Sequence, residues 1–279
     1  MSKLKIMGND LNLVFGKRCF SLSFLDKEME EVIKGCFYFS NTSRKSDYLF
    51  KIGYQDNGNV ARDCEFLYFK GEKWCSYNTK KNEIEILFPK NETFSNPVRI
   101  LAFLYDAFYK LGQVNGKRDS SFLIHAAGLL KHGKGFIFTG ESGAGKTTVS
   151  QLSSPEAQIL SDESIVVSED LGEYWISQGP VKTEITRLND KMVNLCAIFI
   201  LVQDKTNSLR KLSGAEMGHK LMDNIIYVNL SAGAKREDYL AGKLRFIDAI
   251  CRRVPVYELR FTKDKTFWKE IERKVLFLE

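Results

Sequence analysis

The stretch that decides the fold is Gly135-Phe-Ile-Phe-Thr-Gly-Glu-Ser-Gly-Ala-Gly-Lys-Thr-Thr-Val149. It contains the pattern GxxxxGK[ST], whose fixed positions are Gly140, Gly145, Lys146 and Thr147. In this pattern the glycines let backbone amides approach phosphate oxygens, because a Cβ would intrude there. The lysine adds a positive charge beside the β- and γ-phosphates, and the hydroxyl of the last residue is a ligand for Mg²⁺.

The residues on either side of this pattern have the context that the motif requires. The apolar run Phe136-Ile137-Phe138 precedes it and is typical of a buried strand. The residues from Lys146 onward can begin a helix, whose N-terminal amides favour an anion. The stretch therefore predicts a phosphate-binding loop, with Lys146 facing solvent and contributing little to packing.

Composition is that of an ordinary globular protein. The 279 residues include 44% hydrophobic and 27% charged residues, which is enough for a large buried core in one or two domains. The net charge of +6 is modest, and the Lys and Arg residues are scattered along the chain rather than clustered. This pattern favours anionic ligands weakly and argues against a nucleic-acid-binding surface.

Nothing in the sequence predicts a membrane span or a disulfide framework. The longest uncharged apolar run, Leu195–Val202, is far too short to cross a bilayer, and the N-terminal residues lack the apolar core of a signal peptide. The six cysteines show neither a CxxC pair nor histidines at metal-ligand spacing. We therefore expect free thiols and a cytoplasmic protein.

The N-terminal third predicts a small β-rich domain. Short β-type runs alternate with turn-rich pieces, and Glu28–Lys34 is a candidate short helix. The predicted strands are Leu11–Phe15, Phe20–Phe24, Gly35–Phe39, Tyr48–Tyr54, Glu65–Phe69 and Glu83–Phe88. This domain could recognise a partner or simply cover one side of the nucleotide-binding domain, and the sequence does not choose between these roles.

Two polar breaks separate this region from the phosphate loop. Asn96-Pro97 precedes Val98–Lys110, whose apolar residues have helical spacing, and the polar stretch Asn115–Ser120 is the best candidate for the boundary itself. The predicted domains are residues 1–96 and residues 97–279, divided at Asn96-Pro97.

The residues leading into the phosphate loop predict a hairpin. Ser121–Leu130 and the strand at Gly135 are joined by a glycine turn, which places His125 inside a strand of the sheet that carries the loop. A lone histidine in an apolar strand is more often a satisfied core residue than a catalytic group. Spacing alone leaves both roles open for His125.

An acidic pair follows the next predicted strand. Gln158–Leu160 leads into Ser161-Asp162-Glu163-Ser164, and strand ends beside a phosphate loop are where α/β proteins bind ligands. Asp162 could hold Mg²⁺, accept a proton from an attacking hydroxyl, or simply form the turn.

The rest of the chain predicts alternating strands and helices. The strands are Ile165–Ser168 and Tyr174–Ser177, which form a hairpin, followed by Asn194–Val202 and Pro255–Phe261. The helices are Thr147–Ser153, Ala215–Met222, Arg236–Arg252 and Phe267–Val275.

Three segments together resemble a known family. Ile124-His-Ala-Ala127, Phe138–Thr148 and Leu160-Ser-Asp-Glu163 resemble the kinase domain of HPr kinase/phosphorylase, whose fold is shared with phosphoenolpyruvate carboxykinase. Val254–Arg260 resembles a late strand of that domain. The sequence more closely resembles small HPr-kinase-like proteins often found in peptide-modification gene clusters, including lasso-peptide precursor kinases. The resemblance covers about residues 98–275 and implies an α/β (α+β) P-loop kinase domain.

The resemblance also implies roles for individual residues. Asp162 would be the proton acceptor and, with Thr147, would hold Mg²⁺, while His125 would lie beside the transferring phosphoryl group. The nucleotide phosphates would be held by Gly140, Glu141, Ser142, Gly143, Ala144, Gly145, Lys146, Thr147 and Thr148. ATP and Mg²⁺ are the cofactors expected.

The sequence departs from the family pattern in two places. The family has two aspartates where this chain has Asp162-Glu163, so the division of work within the acidic pair is open. The arginine-containing signature of true HPr kinases is not recognisable, and the nearest charged residues are Lys182, Glu184 and Arg187. HPr itself is therefore not the expected substrate.

The function implied is an ATP- and Mg²⁺-dependent kinase that phosphorylates a hydroxyl, with serine of a peptide or protein as the expected acceptor. The alternative is a nucleotide-binding module that assists a peptide-maturation complex without catalysis. A carboxykinase lyase is disfavoured because the chain lacks room for that family's large substrate-binding half. The sequence leaves homo-oligomerisation open.

Overall fold

The computed structural model describes residues 7–15, 18–40, 45–46, 48–55, 65–69, 72–80, 83–89, 121–222 and 236–276. The chain divides into two compact units. The first comprises Met1–Asp119, Pro180–Lys182 and Tyr227–Tyr239, and the second comprises Ser120–Gly179, Thr183–Ile226 and Leu240–Glu279. The predicted helix Val98–Lys110 and both predicted breaks lie outside the described residues, so the boundary between residues 96 and 97 stays a prediction.

The described part of the first unit is built on a six-stranded mixed sheet in the order β1-β2-β3-β6-β5-β4. β3 pairs in parallel with β2 and β6, while the remaining pairs are antiparallel. Its strands are β1 (Met7–Phe15), β2 (Arg18–Phe24), β3 (Tyr48–Gln55), β4 (Glu65–Phe69), β5 (Glu72–Lys80) and β6 (Glu83–Pro89). The described residues of this region are rich in β-strands, as predicted.

Helix α1 (Lys27–Cys36) connects β2 to β3. Its start is fixed by Asp26, whose side chain accepts hydrogen bonds from the amides of Glu28 and Met29, and Met29 and Ile33 are buried one turn apart. The predicted strand Gly35–Phe39 is wrong, because α1 continues to Cys36 and only Phe37 forms an isolated bridge, with Val181. Strand β5 was not predicted, since its polar residues lack an apolar alternation.

The second unit contains nine strands, three complete α-helices and most of a fourth among its described residues. The strands are β7 (Phe122–Ile124), β8 (Ala126–Lys131), β9 (Lys134–Thr139), β10 (Gln158–Ser161), β11 (Ile165–Asp170), β12 (Glu173–Gln178), β13 (Met192–Gln203), β14 (Ser208–Lys211) and β15 (Val256–Phe261). The helices are α2 (Lys146–Ser153), α3 (Gly214–Met222), α4 (Arg236–Cys251) and α5 (Phe267–Ile271), and a π-helical turn follows at Glu272–Leu276. The helix predicted at Phe267–Val275 therefore changes its hydrogen-bonding pattern after Ile271.

Strand β13 is the centre of this sheet. The order is β10-β8-β9-β13-β12-β11-β7, and β13 also pairs with β15, which carries β14. β13 runs parallel to both β9 and β15, so all three end at the same edge. Because β10 and β9 are each antiparallel to β8, β10 also ends at that edge and β8 begins there.

The sheet is buried on both faces, which explains its continuous apolar runs. Successive residues of β9 alternate between two cores: Ile137 packs with Ile198 on one face, while Phe136 and Phe138 pack with Phe199 on the other. Helices α3 and α4 cover the first face, and α2 and α5 cover the second. The ring centroids of Phe138 and Phe199 are 4.9 Å apart, so aromatic packing fixes the strand that leads into the phosphate loop.

The class of the fold is therefore mixed α/β, as predicted. None of the described helices is both long and apolar enough to cross a membrane. The four cysteines whose side chains are described, Cys19, Cys36, Cys196 and Cys251, carry free thiols.

The hairpin of β11 and β12 has an unfavourable residue at its tip. Asp170 pairs with Glu173, and the two-residue turn between them places Leu171 at φ 53° and Gly172 at φ 83°. Both angles are left-handed, as in a type I′ turn, which favours Asn-Gly. Leu171 is also 97% exposed, so its side chain offsets none of this cost by burial.

We expect Leu171→Asn to raise the free energy of unfolding by about 0.5–1 kcal/mol, because asparagine tolerates the left-handed region better than leucine. Leu188→Asn is the matched control, since Leu188 is 43% exposed but lies outside that region. Chemical denaturation measures both changes. Equal effects of the two substitutions would show that the turn geometry is not responsible.

Candidate functional site

Gly140 to Gly145 lie between β9 and α2, and Lys146 and Thr147 begin α2, as predicted. Gly143 and Gly145 have φ angles of 81° and 108°, a region that L-residues with a Cβ rarely adopt. Gly145 is the residue before α2, and a Cβ on it would lie 2.6 Å from Cζ of Phe261. The loop therefore needs glycine at position 145 for backbone conformation and for space.

Lys146 is buried, which corrects the expectation that it faces solvent. Only 7% of its surface is exposed, and its ammonium group donates hydrogen bonds to the carbonyl oxygens of Gly140 and Glu141 at 3.0 and 3.3 Å. Burial lowers the pKa of Lys146, and the negative charge of Glu163 opposes that shift. The positive charge is thus held against backbone carbonyl oxygens of the loop itself.

The acidic pair lies at the sheet edge where β9, β10 and β13 end. The hydroxyl of Ser161 accepts hydrogen bonds from the amides of Glu163 at 3.2 Å and Ser164 at 3.1 Å, which forms a tight turn after β10. Thr147 donates its hydroxyl to Oδ2 of Asp162 at 3.3 Å. The structure therefore brings the first turn of α2 and the acidic pair together.

The predicted hairpin is confirmed as β8 and β9, but His125 is not inside a strand, contrary to the prediction. β7 pairs with β11 whereas β8 pairs with β9, so the chain bends at His125 as it changes partner strands. This bend lies at the same edge as the acidic pair, and Nε2 of His125 is 3.4 Å from Oε1 of Glu163. The hydroxyl of Thr139 donates to the carbonyl oxygen of His125 at 3.0 Å, which fixes the bend against the end of β9.

The surroundings of Glu163 favour its charged form. The hydrogen bond with His125 lowers the pKa of Glu163, and the positive charge of Lys146 lowers it further, while burial acts in the opposite direction. The amide of Ala126 also donates to the carbonyl oxygen of Glu163 at 3.2 Å. The side chain of Glu163 is therefore held by His125 at the bend, and its backbone by Ala126, the first residue of β8.

Two residues that support the loop were not predicted. Gln203, the last residue of β13, donates its Nε2 to the carbonyl oxygen of Gly143 at 2.7 Å, and the ring of Phe261 lies beneath Gly145. Both follow from the rule that ligand-site residues gather at the carboxyl ends of parallel strands. The sequence could have indicated Gln203 only after the strand order was known.

The charged residues considered for the missing arginine signature do not form one contact group. Lys182 belongs to the first unit, where its Nζ donates to the carbonyl oxygen of Lys34 at 2.5 Å and lies 5.9 Å from the ring centroid of Tyr38. Glu184 is exposed, and the backbone of Arg187 accepts a hydrogen bond from Gln178 at 3.1 Å. A catalytic role for any of the three has no support from these contacts.

These observations define the class of protein: a mixed α/β protein that carries a GxxxxGK[ST] loop and an acidic pair at one edge of its central sheet. The family model for the SynChlorMet cassette protein ScmC matches residues 90–277, about two thirds of the chain. The chain therefore belongs to the ScmC family. A comparison with curated proteins finds no match.

Proposed function

We propose that this protein is an ATP- and Mg²⁺-dependent kinase with a P-loop domain of the HPr kinase and phosphoenolpyruvate carboxykinase type. It would transfer the γ-phosphoryl group to a hydroxyl, with serine of a peptide or protein as the acceptor. The observation that carries this proposal is the convergence of the phosphate loop, Asp162, Glu163 and His125 at one sheet edge. Binding alone would not require the His125–Glu163 pair.

The residues of the loop fit a nucleoside triphosphate. The left-handed glycines leave room for phosphate oxygens beside the amides that begin α2, and the ammonium group of Lys146 is already held at the loop. The amides and Lys146 would bind and orient the phosphates. Their positive potential also favours the negative charge that develops on the leaving β-phosphate during transfer.

The residues also fit Mg²⁺. Oδ1 of Asp162 is buried and has no hydrogen-bond partner, although its other oxygen is bonded to Thr147. A buried carboxylate oxygen without a partner is costly unless a cation or another donor satisfies it. Among the described residues, no cluster of three or more His, Cys, Asp or Glu side chains could hold a metal. Mg²⁺ suits this arrangement, because it often takes one or two protein ligands and completes its shell with phosphates and water. When bound, it would supply charge neutralisation at the phosphates.

The family description as a cassette protein fits a substrate encoded close to this chain. The test is to incubate the protein with Mg²⁺, ATP labelled on its γ-phosphate, and serine-containing peptides from its own gene cassette. We expect label on a peptide, and none on the same peptide with its serines replaced by alanine. Nucleotide binding without label transfer to any cassette peptide or protein would favour the non-catalytic module instead.

A further inference from the structure

The two neighbouring carboxylates at the end of β10 have different surroundings. Asp162 is 7% exposed; its Oδ2 accepts from Thr147, and its Oδ1 is buried without a partner. The side chain of Glu163 is 39% exposed, and its Oε1 lies 3.4 Å from Nε2 of His125. One carboxylate is thus turned into the protein and towards α2, while the other reaches solvent.

We propose that Glu163, positioned by His125, contacts the acceptor hydroxyl and receives its proton, and that Asp162 serves the phosphate and cation side of the site. This inference rests on the proposed kinase function. It reverses the division of roles that the family resemblance implies, in which Asp162 would be the proton acceptor.

The accessibility of the two carboxylates to an acceptor hydroxyl indicates which of them receives the proton. An acceptor hydroxyl must come within about 3 Å of the oxygen that takes its proton. The free oxygen of Asp162 is buried, whereas the carboxylate of Glu163 can be reached from solvent without moving the backbone. The carboxylate of Asp162 is instead hydrogen-bonded to Thr147, the residue whose hydroxyl is the expected Mg²⁺ ligand, so it lies on the phosphate and cation side of the site.

His125 acts through Glu163, so it is a positioning residue. Its backbone is fixed by the hydroxyl of Thr139, and the amide of Ala126, the next residue, holds the backbone of Glu163. The imidazole therefore approaches the carboxylate from a rigid bend. A hydrogen bond from Nε2 to one oxygen leaves the other oxygen of Glu163 for the acceptor hydroxyl.

The transfer step balances without a further reactant. A lone pair of the acceptor oxygen forms a bond to the γ-phosphorus, and the bond from that phosphorus to the bridging oxygen breaks, with its electron pair leaving on ADP. The hydroxyl proton passes to the carboxylate of Glu163 and afterwards to solvent. The products are ADP and a phosphate monoester.

The experiment compares Glu163→Gln with Asp162→Asn in the full-length protein, using two measurements. The first is the affinity for ATP with and without Mg²⁺. The second is single-turnover phosphate release from Mg²⁺·ATP, with water as the acceptor. We expect Glu163→Gln to keep the Mg²⁺-dependent affinity within about threefold and to lose about 10²–10⁴-fold in rate. Asp162→Asn should lose most of the Mg²⁺ dependence of ATP affinity.

His125 is tested by two substitutions. His125→Ala should slow release, and His125→Gln should recover part of the loss, because the glutamine amide can still donate a hydrogen bond to Glu163. Both variants should bind ATP normally. Glu173→Gln, at an exposed site at the start of β12, is the control and should leave both measurements unchanged.

The outcomes separate this inference from the function on which it rests. A wild-type protein that does not bind Mg²⁺·ATP would contradict the proposed function itself. If it binds, then wild-type rates in Glu163→Gln, or an unchanged Mg²⁺ dependence in Asp162→Asn, would overturn the division of roles. Equal loss in His125→Ala and His125→Gln would overturn the positioning role. Binding without any phosphate release would count against a proton acceptor that water can reach.

Discussion

Lys146→Ala should remove most of the stabilisation that Mg²⁺·ATP gives to the folded protein. Charge-assisted hydrogen bonds to phosphate are worth about 1.5–3 kcal/mol, so the loss of this ammonium group should weaken binding by about 10–100-fold. A ligand at 100 times its Kd stabilises the folded state by about 2.7 kcal/mol, and a 100-fold weaker affinity reduces this to about 0.4 kcal/mol. Thermal unfolding at a fixed ATP concentration measures the difference.

The quantity to compare is the shift in melting temperature that ATP produces in each protein, not the melting temperature itself. Lys146 is buried and bonded to Gly140 and Glu141, so alanine also changes the protein without nucleotide. Lys134→Ala is the matched control, because Lys134 is exposed at the opposite end of β9. An equal ATP-dependent shift in wild type and Lys146→Ala would show that the loop does not bind the ATP phosphates.

Gly145→Ala should be more damaging than Gly143→Ala, although both positions have a positive φ. The left-handed backbone costs an L-residue about 1–2 kcal/mol, and overlap of the new Cβ with the ring of Phe261 adds about 1–3 kcal/mol. We therefore expect a loss of about 2–5 kcal/mol in the free energy of unfolding. Because Gly145 is the residue before α2, ATP affinity should fall as well.

Gly143→Ala separates the two causes. Gly143 has a φ of 81°, but a Cβ there would meet nothing within 4 Å. It should cost only the backbone part, about 1–2 kcal/mol. Urea denaturation of the two variants gives the comparison. If Gly143→Ala were as damaging as Gly145→Ala, the close approach of Phe261 would not be what restricts position 145.

The sequence predicts the second unit well because its strands are apolar on both faces and its turns are rich in glycine. The runs at Phe136–Phe138 and Asn194–Val202 lie within β9 and β13, and the hairpin of β11 and β12 is confirmed. The spacing of apolar residues mispredicts a segment where a local interaction decides between helix and strand. The cap at Asp26 and the burial of Met29 and Ile33 favour helix α1, which takes in Gly35 and Cys36 from the predicted strand.

The candidate site is predictable in its parts but not in its geometry. The motif identifies the loop, and the position of Asp162 after a strand indicates the second element. The bend at His125 could not be predicted, because β7 and β8 are equally apolar and only their different partner strands show where the chain turns. The sequence likewise does not show that Asp162 is buried beside Thr147 while the side chain of Glu163 is 39% exposed, because these neighbours come from separate elements.

The most direct measurement of the central claim is a crystal structure of the full-length protein with Mg²⁺ and a non-hydrolysable ATP analogue. We predict β- and γ-phosphate oxygens within hydrogen-bond distance of the amides at the start of α2 and of Nζ of Lys146. Mg²⁺ should contact the oxygens of Thr147 and Asp162, and Glu163 should face the open side of the γ-phosphate. A nucleotide bound away from residues 140–148, or an analogue whose γ-phosphate points away from Glu163 and His125, would contradict the account.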